Sequence, residues 1–154
     1  MEDKRFKILY VDDEVNNLVA FKANFRKYYE IFTAESAAEG RVILNEQYID
    51  IIITDQRMPN ETGVEFLQSI INEFPHPIRM LLTGYADIEA VIAAINKGEI
   101  FRYITKPWNE HELKMTIDNA CHVYSLREEN RELTKSLLQA NKQLEFLLRQ
   151  KLLS

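Results

Sequence analysis

The chain has a single cysteine, Cys121, which excludes an intramolecular disulfide; on a helix it reads as a small apolar packing residue. No run of about 18 apolar residues exists, so nothing reads as a membrane span. The start, Met1-Glu2-Asp3-Lys4-Arg5, lacks the apolar core of a signal peptide, which makes the cytoplasm the expected compartment. Basic residues are outnumbered, giving a net charge of -5, and this argues against the positive surface that nucleic-acid binding needs. The three histidines, His76, His111 and His122, lack metal-ligand spacing and read as structural or surface residues.

What the chain does have is an alternation of short apolar runs with helical segments, the pattern of repeated βα units. Strands are expected at Lys7–Val11, Glu30–Ala34, Tyr48–Thr54, Ile78–Leu82 and Ile100–Ile104. Helices are expected at Val15–Lys27, Ala37–Asn45, Val64–Glu73 and Ile88–Lys97. Ser36 with Glu39 and Thr62 with Glu65 read as capping boxes, Asp87 and Asn109 as N-caps, and Gly98 as a helix stop. Right-handed crossovers then give an α/β fold, a parallel sheet covered on both faces. The 154 residues suffice for one ordinary domain and a little more.

Chemistry-bearing residues fall where these strands end. Asp12-Asp13 follows the first strand, Asp55 closes the third, and Lys106-Pro107 follows the fifth, which brings three acids and one lysine to the edge where open α/β sheets bind ligands. Two carboxylates about 4 Å apart repel by roughly 4 kcal/mol at an effective dielectric near 20, so the site calls for a cation. Adjacent hard oxygen ligands suit Mg²⁺, which leaves Asp55 free as a nucleophile toward phosphorus, with the metal and Lys106 offsetting the charge of the transferring group.

From Asn109 to Ser154 there is neither Pro nor Gly, so about 45 residues can run as one helix of roughly 68 Å. Heptads place Val123, Asn130, Leu137, Leu144 and Lys151 at one core position and Leu126, Leu133, Ala140 and Leu147 at the other. That spacing predicts a coiled coil, with Asn130 fixing register in a parallel dimer. The alternative is a long amphipathic helix folded back on its own domain. The chain stops at Ser154 within a heptad, which suggests a truncation and leaves a natural end open.

Asp12-Asp13, Asp55 with Gln56-Arg57-Met58-Pro59 and Gly63, Thr83-Gly84, Tyr103 and Lys106-Pro107 together resemble the receiver domain of bacterial two-component response regulators. The resemblance covers residues 4–124 and leaves 125–154 as a coiled-coil signalling helix. It implies a flavodoxin-like, doubly wound, five-stranded parallel sheet in the order 2-1-3-4-5, with the last helix extended into the coil. It implies a phosphoryl group on Asp55 supplied by a sensor histidine kinase, and Mg²⁺ held by Asp13, Asp55 and the backbone carbonyl of Arg57, with Asp12 assisting through water. Lys106 would contact the phosphoryl group, Thr83 and Tyr103 would form the switch pair, and Lys106-Pro107 would be cis. Arg57 and Tyr85 lie where side chains of this family screen the acyl phosphate from water, which predicts a long-lived phosphoryl state.

Three readings follow. The leading one is a phosphorylation-dependent receiver, itself no enzyme beyond self-catalysed phosphoryl acceptance and slow autodephosphorylation, that signals through a dimeric coil of Leu126, Asn130, Leu133, Leu137, Leu144 and Leu147 to an output domain, expected to be a signalling enzyme. A second is a phosphorylation-independent dimeric scaffold. The third is a Mg²⁺-dependent phosphohydrolase, against which stands the position of the nucleophile: that class places an Asp-x-Asp after the first strand, and this chain has adjacent Asp12-Asp13 there.

Overall fold

The structure is a computed structural model that describes residues 4–154, with the Tyr85 side chain outside the described set. The Met1–Asp3 part of the start read for a signal peptide also lies outside it. Five strands, β1 (Lys7–Val11), β2 (Glu30–Ala34), β3 (Ile51–Asp55), β4 (Ile78–Thr83) and β5 (Arg102–Thr105), pair in parallel in the order β2-β1-β3-β4-β5. They alternate with α1 (Val15–Phe25), α2 (Ala37–Glu46), α3 (Gly63–Ile70), α4 (Ile88–Asn96) and α5 (Glu110–Leu153). This is the flavodoxin-like doubly wound sheet with a long last helix.

The three inner strands are apolar because both faces are covered. Ile8, Leu9, Tyr10, Val11, Ile51, Ile52, Ile53, Met80, Leu81 and Leu82 are fully buried. Two strands begin later than expected. Tyr48 and Ile49 look like part of β3, but Tyr48 is exposed, and Asp50 uses its carboxylate to accept from the Lys7 amide at 2.8 Å. Ile100 is apolar because it is buried in the core ahead of β5.

Helix ends show which caps operate. Thr62 and Glu65 form a complete reciprocal box at α3. Asn109 accepts from the Glu112 amide at 3.1 Å, as an N-cap does. At α2 the box is shifted: Ser36 Oγ accepts from Glu39 N at 3.1 Å, while the Glu39 carboxylate reaches Glu35 N at 2.7 Å and misses the Ser36 amide. Asp87 makes no side-chain cap, a correction to the expected N-cap; a short 3₁₀ turn, Tyr85–Asp87, precedes α4 and the carboxylate is engaged elsewhere. Gly98, at φ 76°, stops α4 in a Schellman arrangement, with Gly98 N donating to Ile95 O and Glu99 N to Ala94 O.

Contacts divide the chain into a unit ending at Cys121 and a second, His122–Ser154. In the first, α5 buries Leu113, Ile117, Ala120 and Cys121, a helical stripe facing its own core. Burial pushes the Cys121 thiol up to about 12, consistent with a packing residue. Trp108, just ahead of α5, sits against Phe21 (6.4 Å, edge-on) and Phe25 (5.8 Å) of α1, so it anchors the start of the helix. The second unit is helical to Leu153, and Leu126, Leu133, Leu137, Leu144 and Leu147 are each more than half exposed.

Candidate functional site

Sheet register builds the site. Val11 pairs with Thr54, Asp55 with Leu82 and Thr83 with Thr105, so the residues that end or follow β1, β3, β4 and β5 meet at one edge. The Lys106 amide donates to Thr83 O at 2.9 Å, which holds the residue after β5 on the end of β4, and Lys106-Pro107 is cis. Asp12 and Asp55 are buried, while Asp13 is exposed.

The lysine is aimed at the acids: Lys106 Nζ lies 2.7 Å from Asp55 Oδ1 and 3.6 Å from Asp12 Oδ2. Asp12 is held on three sides, accepting from Tyr10 Oη at 2.7 Å, Asn17 Nδ2 at 3.0 Å and the Glu14 amide at 3.0 Å. These partners fix the carboxylate without adding full positive charge. Asp12, Asp13 and Asp55 can each offer one oxygen such that all three lie within 4.8 Å of one another. An all-oxygen set of this size fits a hard cation such as Mg²⁺.

The electrostatics point the same way. Burial is the largest influence on Asp55 and raises its pKa, with Asp12 adding to the rise; the hydrogen bond and charge of Lys106 oppose it without cancelling it. For Lys106, burial works to lower the ammonium, but the hydrogen bond and charge of Asp55, with Asp12, leave a net rise. One ammonium thus stays protonated among three carboxylates and does not balance them. Burial and the adjacent Asp12 also push the Tyr10 hydroxyl upward, so it remains a donor.

This yields a stability prediction of definite sign. A carboxyl whose folded pKa is raised contributes stability that is full below its ordinary 3.8 and is lost as pH rises through the folded value. Asn mimics the protonated form, so Asp55→Asn should raise the thermal midpoint of the metal-free chain, and the gap over the parent should widen from acid to neutral pH. Melting both proteins in chelator across that range tests it; a gap that closes toward neutral pH contradicts the assignment.

Other residues of the site had no role assigned from sequence, although Gln56 and Gly63 stand in the motif. Gln56 is buried and its Oε1 accepts from Val64 N at 2.9 Å, which ties the residue after Asp55 to the start of α3. Gly63 is needed by close approach: a Cβ there would collide with the Asp55 carbonyl and lie 2.8 Å from Leu81 Cδ1. The Tyr10 bond to Asp12 had a sequence signal, because residues two apart on a strand share a face.

Thr83 is buried with its hydroxyl donating to Gly84 O at 3.1 Å, and Tyr103 is half-buried against the core. The Arg57 guanidinium, largely exposed, pairs through Nε with Asp87 Oδ2 at 2.8 Å. The Tyr85 side chain, expected to modulate the phosphoryl group, lies outside the described residues. The expected coil residues, Leu126 to Leu147, all belong to the second unit.

A buried aspartate at the carboxyl end of a central strand, a lysine reaching it across the sheet edge and a pair of acids beside it mark the ligand edge of a doubly wound α/β module. The chain matches the response regulator receiver domain over residues 8–118 and belongs to that family. It is 38% identical over 122 residues to the hydrogenase transcriptional regulatory protein HoxA of Bradyrhizobium diazoefficiens, a match covering 79% of this chain and 25% of that protein. This chain therefore spans about a quarter of the length of such relatives. Among solved structures it is similar to an adenylate cyclase from Rhodopirellula baltica (TM-score 0.83, 30% identity, 85% of this chain and 98% of that one). It is also similar to a response regulator receiver domain protein from Clostridium thermocellum (TM-score 0.74, 35% identity, 79% and 98%).

Proposed function

We propose that this receiver accepts one phosphoryl group on Asp55 from the phosphohistidine of a sensor histidine kinase. The observation that carries the reading is the buried Asp55 carboxylate with Lys106 Nζ 2.7 Å from its oxygen and Asp12 and Asp13 within reach of a shared cation. An Asp55 oxygen bonds to phosphorus as the bond from phosphorus to the donor nitrogen breaks. Lys106 holds a phosphoryl oxygen and offsets its charge. Asp13, Asp55 and the Arg57 carbonyl, with Asp12, would hold Mg²⁺, which when bound supplies positive charge against the phosphoryl oxygens.

The added charge and acceptor oxygens of the phosphoryl group then draw the Thr83 hydroxyl away from Gly84, and the Tyr103 ring moves into the space released. In this account the protein is a signalling module of the cytoplasm and not a turnover enzyme. Residues 4–124 act as the receiver and residues 125–154 as a dimeric coil through Leu126, Asn130, Leu133, Leu137, Leu144 and Leu147, which passes the signal to an output domain. The sequence around Asp55 and Lys106 favours a signalling enzyme as output. A transcriptional output is the second reading, supported by the name of the HoxA relative. Among the described residues no helix is long and apolar enough to cross a membrane, in keeping with a site reached from solution.

Incubation with acetyl phosphate or fluoroberyllate and Mg²⁺ separates the classes of function. A receiver takes up one group and holds it; a phosphohydrolase turns acetyl phosphate over, and a scaffold ignores both reagents.

A further inference from the structure

The Arg57–Asp87 pair joins the loop after β3 to the turn before α4, at the rim of the Asp55 site. Arg57 is two residues from Asp55; the hydrogen bond and charge of Asp87 are the main influences raising the pKa of its guanidinium, and the charge of Asp55 adds to them. Asp87 stands at the N-terminus of α4, where a carboxylate ordinarily accepts from the first free amides, yet it caps nothing and is turned to Arg57 instead. Its backbone, at φ -108° and ψ 9°, closes a 3₁₀ turn and is not in the extended conformation of a capping residue. The carboxylate thus serves the guanidinium and leaves the helix end without its cap.

We propose that Arg57 and Asp87 form a charge-exchange latch, in which a phosphoryl group on Asp55 draws the Arg57 guanidinium to itself and the released Asp87 shifts its backbone to the extended region and caps α4. The proposal rests on Asp55 being the phosphoryl acceptor. Phosphorylation takes the group at Asp55 from one negative charge to nearly two and adds oxygens that match the guanidinium fork. Asp87 offers one negative charge and a single contact at an exposed position, so it is the weaker partner once the phosphoryl group is present. Asp87 therefore acts as a positioning residue through Arg57. The exchange links charge at Asp55 to the start of α4 by an element with two discrete arrangements.

The test is calorimetric affinity for fluoroberyllate with Mg²⁺ in the parent, Asp87→Ala, Arg57→Ala and the double variant, with Asp87→Asn in reserve should Asp87→Ala unfold. Loss of an exposed ion pair, partly offset by the cap gained in its place, sets the scale, so Asp87→Ala should bind about twofold more tightly. Arg57→Ala should bind more weakly, and the double variant should match Arg57→Ala, because Asp87 acts only through Arg57. In the parent, fluoroberyllate should slow hydrogen exchange at the Glu89 and Ala90 amides, the ones a capping Asp87 protects; in Asp87→Ala it should not. Unchanged affinity in Asp87→Ala, an equal gain in the Arg57→Ala background, or no added protection in the parent overturns the latch and leaves the phosphorylation reading standing. A parent that binds no fluoroberyllate removes both.

Discussion

Gly63→Ala should lower the stability of the receiver by about 3 kcal/mol, the upper part of the usual range for overpacking a close-packed site. The added methyl meets the Asp55 carbonyl and Leu81 Cδ1 together, so relief requires moving the start of α3 or the end of β3. The Gly63 amide donates to Gln56 O at 3.0 Å and the Val64 amide to Gln56 Oε1, which leaves the loop little room to shift. Denaturant unfolding of the metal-free variant measures the loss. A variant as stable as the parent would mean that the approach of α3 to Asp55 is looser than the structure has it. Because the displaced group is Asp55 itself, whatever folds should also bind fluoroberyllate more weakly.

Cutting the chain after Tyr124 should turn a dimer into a monomer while leaving phosphoryl uptake intact. The buried stripe of α5 ends at Cys121, so the cut spares the residues that pack on the sheet. Beyond it, Leu126, Leu133, Leu137, Leu144 and Leu147 keep more than half of their surface in water in the single chain. Burying a leucine contributes about 1.5–3 kcal/mol, so several per chain can offset the entropy of association at micromolar concentration. Sedimentation of the full and cut chains decides the matter; a full chain that also sediments as a monomer would make the tail a single helix and remove the dimer from the proposed function.

The parts legible in the sequence are those governed by local pattern. β1 and β2 fall where their five-residue runs place them, and the strand-end positions of Asp12, Asp55 and Lys106 follow from the same periodicity. The parts that escaped depend on tertiary partners. Tyr48 to Asp50 carry the composition of a strand, but Asp50 turns to serve the Lys7 amide, and that bond spans the gap between two segments distant in sequence. Asp87 has the composition of an N-cap and was read as one, yet Arg57, 30 residues earlier, holds its carboxylate. Gly63 belongs to the family motif, but the reason for it, a helix start pressed against the Asp55 carbonyl, exists only in the folded chain.

The central claim is that Asp55 carries the phosphoryl group, since it is the acid with Lys106 on its oxygen while Asp12 is already fixed by Tyr10, Asn17 and the Glu14 amide. Intact-mass measurement after acetyl phosphate and Mg²⁺ tests it most directly. The account predicts one phosphoryl adduct on the parent and none on Asp55→Asn or in the presence of chelator; an adduct that persists unchanged in Asp55→Asn would contradict it.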